Sequence, residues 1–276
     1  MTNGHCTAWD ILSTTSPGRA MTNQTRVALE PAWVLHHYPY RDSSLLLEVF
    51  SREHGRIGLV ARGARSARSR WHSELQILRP LLLSWSMRGE LGTLTGVDTR
   101  GMVNVLPGRQ VLCGCYLNEL LLRLLTRHDP HPELFAAYEQ AVLMLQAGEE
   151  QALRLFEKQL LQQLGYGLLL DHEADSGEPV DPDSLYEYRL EKGPVKCAQP
   201  GGEGIFLRGG SLLALYNDDL AEPQACREVK QLMRAALGLY LGSRPLRSRE
   251  VLRQLASLSR AGRDAAPQAG DVPQAG

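Results

Sequence analysis

The sequence predicts an α+β protein, with a small antiparallel β-barrel or sandwich followed by a helical domain that carries a short β excursion. Three observations carry that expectation. Short apolar runs divided by turn residues occupy positions 26 to 105; longer apolar patterns with helical spacing begin at 111; and a glycine-rich interval near 186–215 interrupts them.

In the first part, Trp33-Val34-Leu35 is followed by the turn-prone Tyr38-Pro39-Tyr40-Arg41-Asp42-Ser43 and then by Leu45 to Phe50. Arg52-Glu53-His54-Gly55 predicts a hairpin turn, with the glycine supplying a positive φ. Ile57 to Ala61, Leu81 to Trp85 and Leu91 to Leu94 continue the series. After Leu106-Pro107-Gly108 the pattern changes. Leu112, Tyr116, Leu120 and Leu124 recur on one helical face, ended by Asp129-Pro130-His131-Pro132. Two helices are expected over 133–146 and 150–164, stopped at Gly148 and Gly165, and two more over 224–241 and 246–258. The predicted organisation is a tail at 1–25, a β domain at 26–107, a helical domain at 108–262 with its β insertion at about 186–215, and a second tail at 263–276. Both tails are poor in core-forming residues and are expected to be disordered. Met21 opens Met-Thr-Asn as Met1 does, and is a second candidate start.

Net charge is −1, so a nucleic-acid surface would need basic residues segregated along the chain. No apolar run reaches the ~20 residues that a bilayer requires. The first 20 residues lack the charged start and apolar centre of a secretory leader, and the five cysteines suit reduced thiols, so a cytoplasmic protein is expected.

The densest basic segment is Arg62-Gly63-Ala64-Arg65-Ser66-Ala67-Arg68-Ser69-Arg70, preceded by Arg56 with no intervening carboxylate. Small residues between arginines let a main chain approach a phosphate backbone while each guanidinium grips one phosphate; the plainer reading is a solvated basic loop. A second basic stretch holds Arg247, Arg249 and Arg253, the latter pair four apart on a helix face. It reads equally as a DNA contact or a solvated face. On the 150–164 helix, Arg154 and Lys158 border Leu155 and Leu161. These either receive an acidic, aromatic peptide end or simply snorkel at a helix edge.

Catalytic and metal motifs are missing. Cys113-Gly-Cys115 cannot complete a four-ligand zinc site, Cys197 and Cys226 stand apart, and His36-His37 and His172-Glu173 lack metal-binding spacing. The glycines show neither phosphate-loop nor dinucleotide spacing, so no cofactor is expected. Two alternatives to DNA binding are a helical protein–protein adaptor and a hydrolase using His172, Glu173 and Asp175.

Taken together, Trp33-Val34-Leu35, Tyr40 to Leu45, Gly55 to Arg65 and Pro80 to Leu83 resemble the N-terminal half of the RecO family. Tyr116 to Leu121, Glu133-Leu134-Phe135, Phe156-Glu157, Leu164 to Gly167 and Pro245 to Glu250 resemble its helical half, in the same order. The resemblance implies an OB-fold at 26–107 and binding of single- and double-stranded DNA. It implies strand annealing in the RecF pathway, and mediation of RecA loading on strands coated by the single-strand-binding protein SSB. RecR and the SSB C-terminal tail are the implied protein partners, with no enzymatic step and a nucleoid-associated place in the cytoplasm. Arg154 would take the tail carboxylate. Some members carry a four-cysteine zinc site after the central helices; here only Cys197 lies there, so no metal is expected.

Overall fold

The computed structural model describes residues 25–66, 68, 69, 71, 73–101 and 106–264, with side chains beyond 255 described only at 257. Both expected tails fall almost wholly outside the described residues, as does Arg70.

Five strands form a closed barrel: β1 (Thr25–Tyr40), β2 (Ser44–Ser51), β3 (Gly55–Ala61), β4 (Pro80–Arg88) and β5 (Leu91–Thr99), ordered β1-β2-β3-β5-β4 and closed by β4 against β1. This is the OB-type barrel, and it resolves the barrel-or-sandwich alternative. The sheet is not wholly antiparallel, because Gly58–Val60 of β3 pair in parallel with Leu91–Thr93 of β5. The 16-residue β1 serves two neighbours, pairing its first half with β4 and its second with β2. Alternate residues fill the interior: Leu47 and Val49, Ile57, Leu59 and Ala61, Leu81, Leu83 and Trp85.

The β2–β3 hairpin turns at Gly55, whose φ is +63° and whose missing Cβ leaves room for the Asp129 carbonyl. That close approach joins the hairpin to the chain leaving the first helix.

Outward-facing Trp33, Leu35 and Phe50 leave the barrel core and enter the core of the helical domain. Its helices are α1 (Arg109–Leu124), α2 (Pro132–Met144), α3 (Glu149–Gln163), α4 (Gly209–Tyr216), α5 (Pro223–Leu241) and α6 (Arg247–Asp264). Trp33 meets Tyr138 edge-on at 5.3 Å between ring centroids, and Phe50 meets Phe135 at 5.4 Å. Asn118 on α1 donates to the Leu35 carbonyl at 3.0 Å and accepts from the Tyr138 hydroxyl at 2.5 Å, so a fully satisfied amide marks the joint.

The insertion is a three-stranded sheet of β6 (Leu185–Arg189), β7 (Gly193–Cys197) and β8 (Phe206–Arg208), ordered β7-β6-β8. It is shorter than the 186–215 expected. Gly209-Gly210 opens α4 instead of continuing a loop, because a Cβ at Gly209 would lie 2.0 Å from the Asp181 carbonyl oxygen. The outer limits also shift, since Thr25 belongs to β1 and α6 runs to Asp264. Among the described residues no helix is long and apolar enough to cross a membrane.

Candidate nucleic-acid interface

The basic loop begins where β3 ends. Ala64 is fully buried and pins the loop to the barrel, while Arg62, Arg65 and Arg68 on either side are exposed. The Arg65 amide donates to the Ser43 carbonyl at 2.9 Å, and its guanidinium reaches the carbonyls of Arg41 and Asp42 at 3.2 and 3.3 Å. The loop is thereby tied to the β1–β2 turn, which presents the exposed Arg41 beside it. Gly63 supplies a left-handed turn at φ +69° that closes on Ser66. Among the described residues no carboxylate pairs with Arg62, Arg65 or Arg68, so these charges are available to an anion.

Arg56 is not part of this surface, which corrects the sequence expectation. Its Nε donates to Glu48 at 3.0 Å, and its Nη1 donates to the Leu122 and Leu125 carbonyls at 2.5 and 3.2 Å. Arg127 binds the other oxygen of the same buried Glu48. Arg56 therefore caps the C-terminus of α1 and ties barrel to helices, with its charge consumed internally.

The second basic segment divides. The Glu119 carboxylate accepts from the Arg247 and Ser248 amides at 2.9 and 3.0 Å and from the Ser248 hydroxyl, capping α6 from a neighbouring helix. Arg247 and Arg253 are exposed. Arg249 instead donates to the Tyr116 hydroxyl at 2.8 Å and lies over its ring, 5.1 Å from the centroid. Arg249 and Arg253 thus do not act as one exposed pair, and Arg249 is spent on holding α6 to α1.

Arg154 corrects a third expectation. It is 4% exposed and pairs with the fully buried Glu157 at 3.2 Å, which also accepts a 2.5 Å hydrogen bond from Tyr116. Burial and that carboxylate push the Tyr116 phenol far above its ordinary range, so it stays protonated as the donor. Lys158 donates to the Leu215 and Tyr216 carbonyls at 2.8 and 3.1 Å, ending α4, and pairs with Asp218. Leu161 is fully buried and Leu155 packs half-buried on the same core. Arg154, Leu155, Lys158 and Leu161 form internal structure and leave no open notch for a peptide. Glu157, three residues after Arg154, was the sequence signal for that pair.

Tyr38 and Tyr40, in the segment whose sequence reads as turn-prone, belong instead to β1 and to an outer aromatic row. A bulge at Leu35 shifts the β1–β2 register between Val34 and His36. Beyond it His36, Tyr38 and Tyr40 emerge from beneath the helices on the outer barrel face; His36 is exposed and the tyrosines half-exposed. His36 and Tyr38 meet edge-on at 4.3 Å, and Arg41 lies 5.3 Å from the Tyr40 ring centroid. Partial burial, His37 and the Arg247 charge hold the His36 imidazole below its ordinary pKa, against the opposing pull of Glu48. The alternating His-x-Tyr-x-Tyr spacing after Leu35 was the available signal.

Cys113 is buried, and burial with the nearby Glu149 pushes its thiol up to about 11. Among the described residues no group of three or more His, Cys, Asp or Glu side chains is gathered to hold a metal ion.

Comparison with known proteins agrees with the architecture. The family model for the N-terminal part of recombination protein O matches residues 26–102, and that for its C-terminal part matches 108–250. The DNA repair protein RecO of Nitrosococcus oceani is 48% identical over 240 residues, covering 85% of this chain and 98% of its own length. Its counterpart in Alkalilimnicola ehrlichii is 49% identical over 244 residues, covering 88% of this chain and 97% of its own. That of Coxiella burnetii is 44% identical over 228 residues, covering 82% and 98%. The OB-type barrel, the helical domain behind it and these likenesses across most of both chains show that the protein belongs to the RecO family of DNA repair and recombination proteins.

Proposed function

We propose that this chain is a recombination mediator of the RecF pathway that binds single- and double-stranded DNA on its barrel and anneals complementary strands. It has no catalytic step of its own. Its product is DNA on which RecA can assemble in place of SSB, with RecR and SSB as protein partners.

The observation that carries the reading is the pinned loop with Arg62, Arg65 and Arg68 exposed and without carboxylate partners. Unneutralised guanidinium groups on an anchored main chain provide phosphate contacts whose strength comes from counterion release. They sit on a protein of net charge −1, so the attraction is local to this surface. Family membership supports the same direction. The protein partners dock elsewhere than at Arg154, whose charge is spent on Glu157.

The test is annealing of two labelled complementary strands. Wild-type protein is expected to accelerate annealing, and the Arg62→Ala, Arg65→Ala, Arg68→Ala triple variant to lose most of that acceleration while remaining folded, with only a small fall in melting temperature from the lost Arg65 contacts. Equal acceleration by both proteins would remove the loop from the function and favour a protein–protein adaptor.

A further inference from the structure

Exposed apolar surface gathers at one place on the helical domain. The α3 helix ends in a Schellman turn, with Gly165 at φ +82° and the Tyr166 and Gly165 amides donating to the Leu161 and Gln162 carbonyls at 2.8 and 3.0 Å. The turn sets Tyr166 against the end of α5, where its ring stacks on Tyr240 at 3.8 Å and 17°. Between that stacked pair, Leu169, Leu239 and the β6–β7 turn lies an open groove of about 360 Å³. Tyr166, Leu169 and Leu239 are 45%, 37% and 49% exposed, three of the nine large apolar side chains exposed among the described residues. Their convergence on one groove marks a contact surface.

The rim of the groove carries one charge of each sign. Glu191 and Lys192, adjacent in the β6–β7 turn, are exposed, and among the described residues no salt bridge engages either. Glu191 is held at φ +63°, and the Lys192 amide donates to the Arg189 carbonyl at 3.0 Å, so the turn fixes where both charges stand. A groove ringed by one sign would call for a partner of the opposite sign. A cation and an anion side by side match a copy of themselves, because a twofold axis sets Lys192 against the partner's Glu191 and the reverse. Shape suits the same operation, since exposed Tyr166 and Leu239 stand beside the groove that each copy offers. Net charge −1 opposes the approach of two copies only slightly.

We propose that this groove is a twofold interface between two copies of the chain, with Tyr166 and Leu239 of each seated against the groove of the other and Lys192 paired with the partner's Glu191. A contact of this size makes a dimer that dissociates on dilution. Among the described residues none from the barrel lines the groove, so the loop of Arg62, Arg65 and Arg68 stays open in each copy. Two copies then hold two strands, which is what the pairing of complementary strands demands. That consequence rests on the proposed function, whereas the interface itself does not.

Sedimentation velocity of the full chain without DNA, from about 1 to about 100 µM, should show monomer giving way to dimer. Leu239→Glu, at an exposed site, should leave the fold intact by thermal melting and raise the dimer dissociation constant by about tenfold or more. Lys192→Glu should weaken the dimer as well. Lys192→Glu combined with Glu191→Lys should restore it, since exchanging both charges rescues only a self-matching pair. With labelled complementary strands, Leu239→Glu should slow annealing while single-strand affinity stays unchanged. A wild-type chain that remains monomeric throughout overturns the interface, leaves the proposed function standing and assigns the groove to a different partner. A dimer indifferent to Leu239→Glu and to the charge exchange lies elsewhere on the surface, and overturns it too. A dimer with the expected variant responses in a protein that binds no strand supports the interface and sinks the proposed function instead.

Discussion

Arg56 and Glu48 meet across the β2–β3 pair, with Arg56 Nε donating to the carboxylate at 3.0 Å on the face where the barrel joins α1. The same guanidinium donates to two carbonyls at the end of α1, and Arg127 completes the pair of contacts on Glu48. One buried carboxylate therefore organises the contact between domains, and an arginine that precedes the DNA loop in sequence belongs to structure.

Arg56→Ala should accordingly destabilise the fold by about 2–3 kcal/mol, since it leaves Glu48 with a single partner and two helix-end carbonyls unsatisfied. Urea unfolding checks the cost, and fluorescence anisotropy checks that strand affinity is unchanged. A stable variant with weakened DNA binding would return Arg56 to the interface.

Arg154→Ala should cost about 3 kcal/mol or more, because Glu157 would remain fully buried with Tyr116 as its one donor. Replacing both members, as Arg154→Met with Glu157→Leu, should recover a large part of the loss by removing the stranded charge. Thermal melting of the single and double variants decides it. A loss below about 0.5 kcal/mol for Arg154→Ala, the level of an ordinary surface substitution, would show that the pair is not structural.

Gly55→Ala should lower stability by about 3 kcal/mol. The position needs φ +63°, which a Cβ disfavours, and that Cβ would lie 2.0 Å from the Asp129 carbonyl oxygen. The melting temperature of the purified variant is the measurement, with an unchanged value as the contrary result.

Glu119→Ala should expose the first turn of α6 to exchange. Two amides and a hydroxyl lose their acceptor, which is worth about 1 kcal/mol for a helix cap. Hydrogen exchange at Ser248 to Glu250 should rise several-fold while α2 stays protected. Uniform protection along α6 would contradict the cap.

How far the sequence reveals this arrangement depends on the range of the interactions. The strands at Leu45–Phe50 and Ile57–Ala61 were legible from apolar runs, and α1 and α3 from helical spacing. Barrel closure was not, because it needs β4 against β1 and the parallel pairing of β3 with β5, both across long stretches of chain. α4 was hidden because Gly209-Gly210 reads as a loop until the Asp181 carbonyl is placed against it. In the candidate site, Arg62, Arg65 and Arg68 were legible because no carboxylate lies near them in sequence, and none folds onto them among the described residues. Arg56 and Arg249 were misread because Glu48 and the Tyr116–Glu157 pair reach them through tertiary contacts. Tyr38 and Tyr40 read as turn because Pro39 lies between them, whereas β1 runs on through the Leu35 bulge to Tyr40 and leaves His36, Tyr38 and Tyr40 on its outer face.

The most direct test of the account is single-strand affinity measured over a salt series for wild type and for the Arg62→Ala, Arg65→Ala, Arg68→Ala variant. Each lost phosphate contact should reduce the slope of log K against log salt by roughly 0.7, so three should flatten it by about 2 and weaken binding most at low salt. The melting temperature should fall only slightly, since all three side chains are exposed and the Arg65 amide still holds the loop to Ser43 when its guanidinium contacts are lost. Identical slopes and affinities for the two folded proteins would contradict the claim that this loop holds the strand.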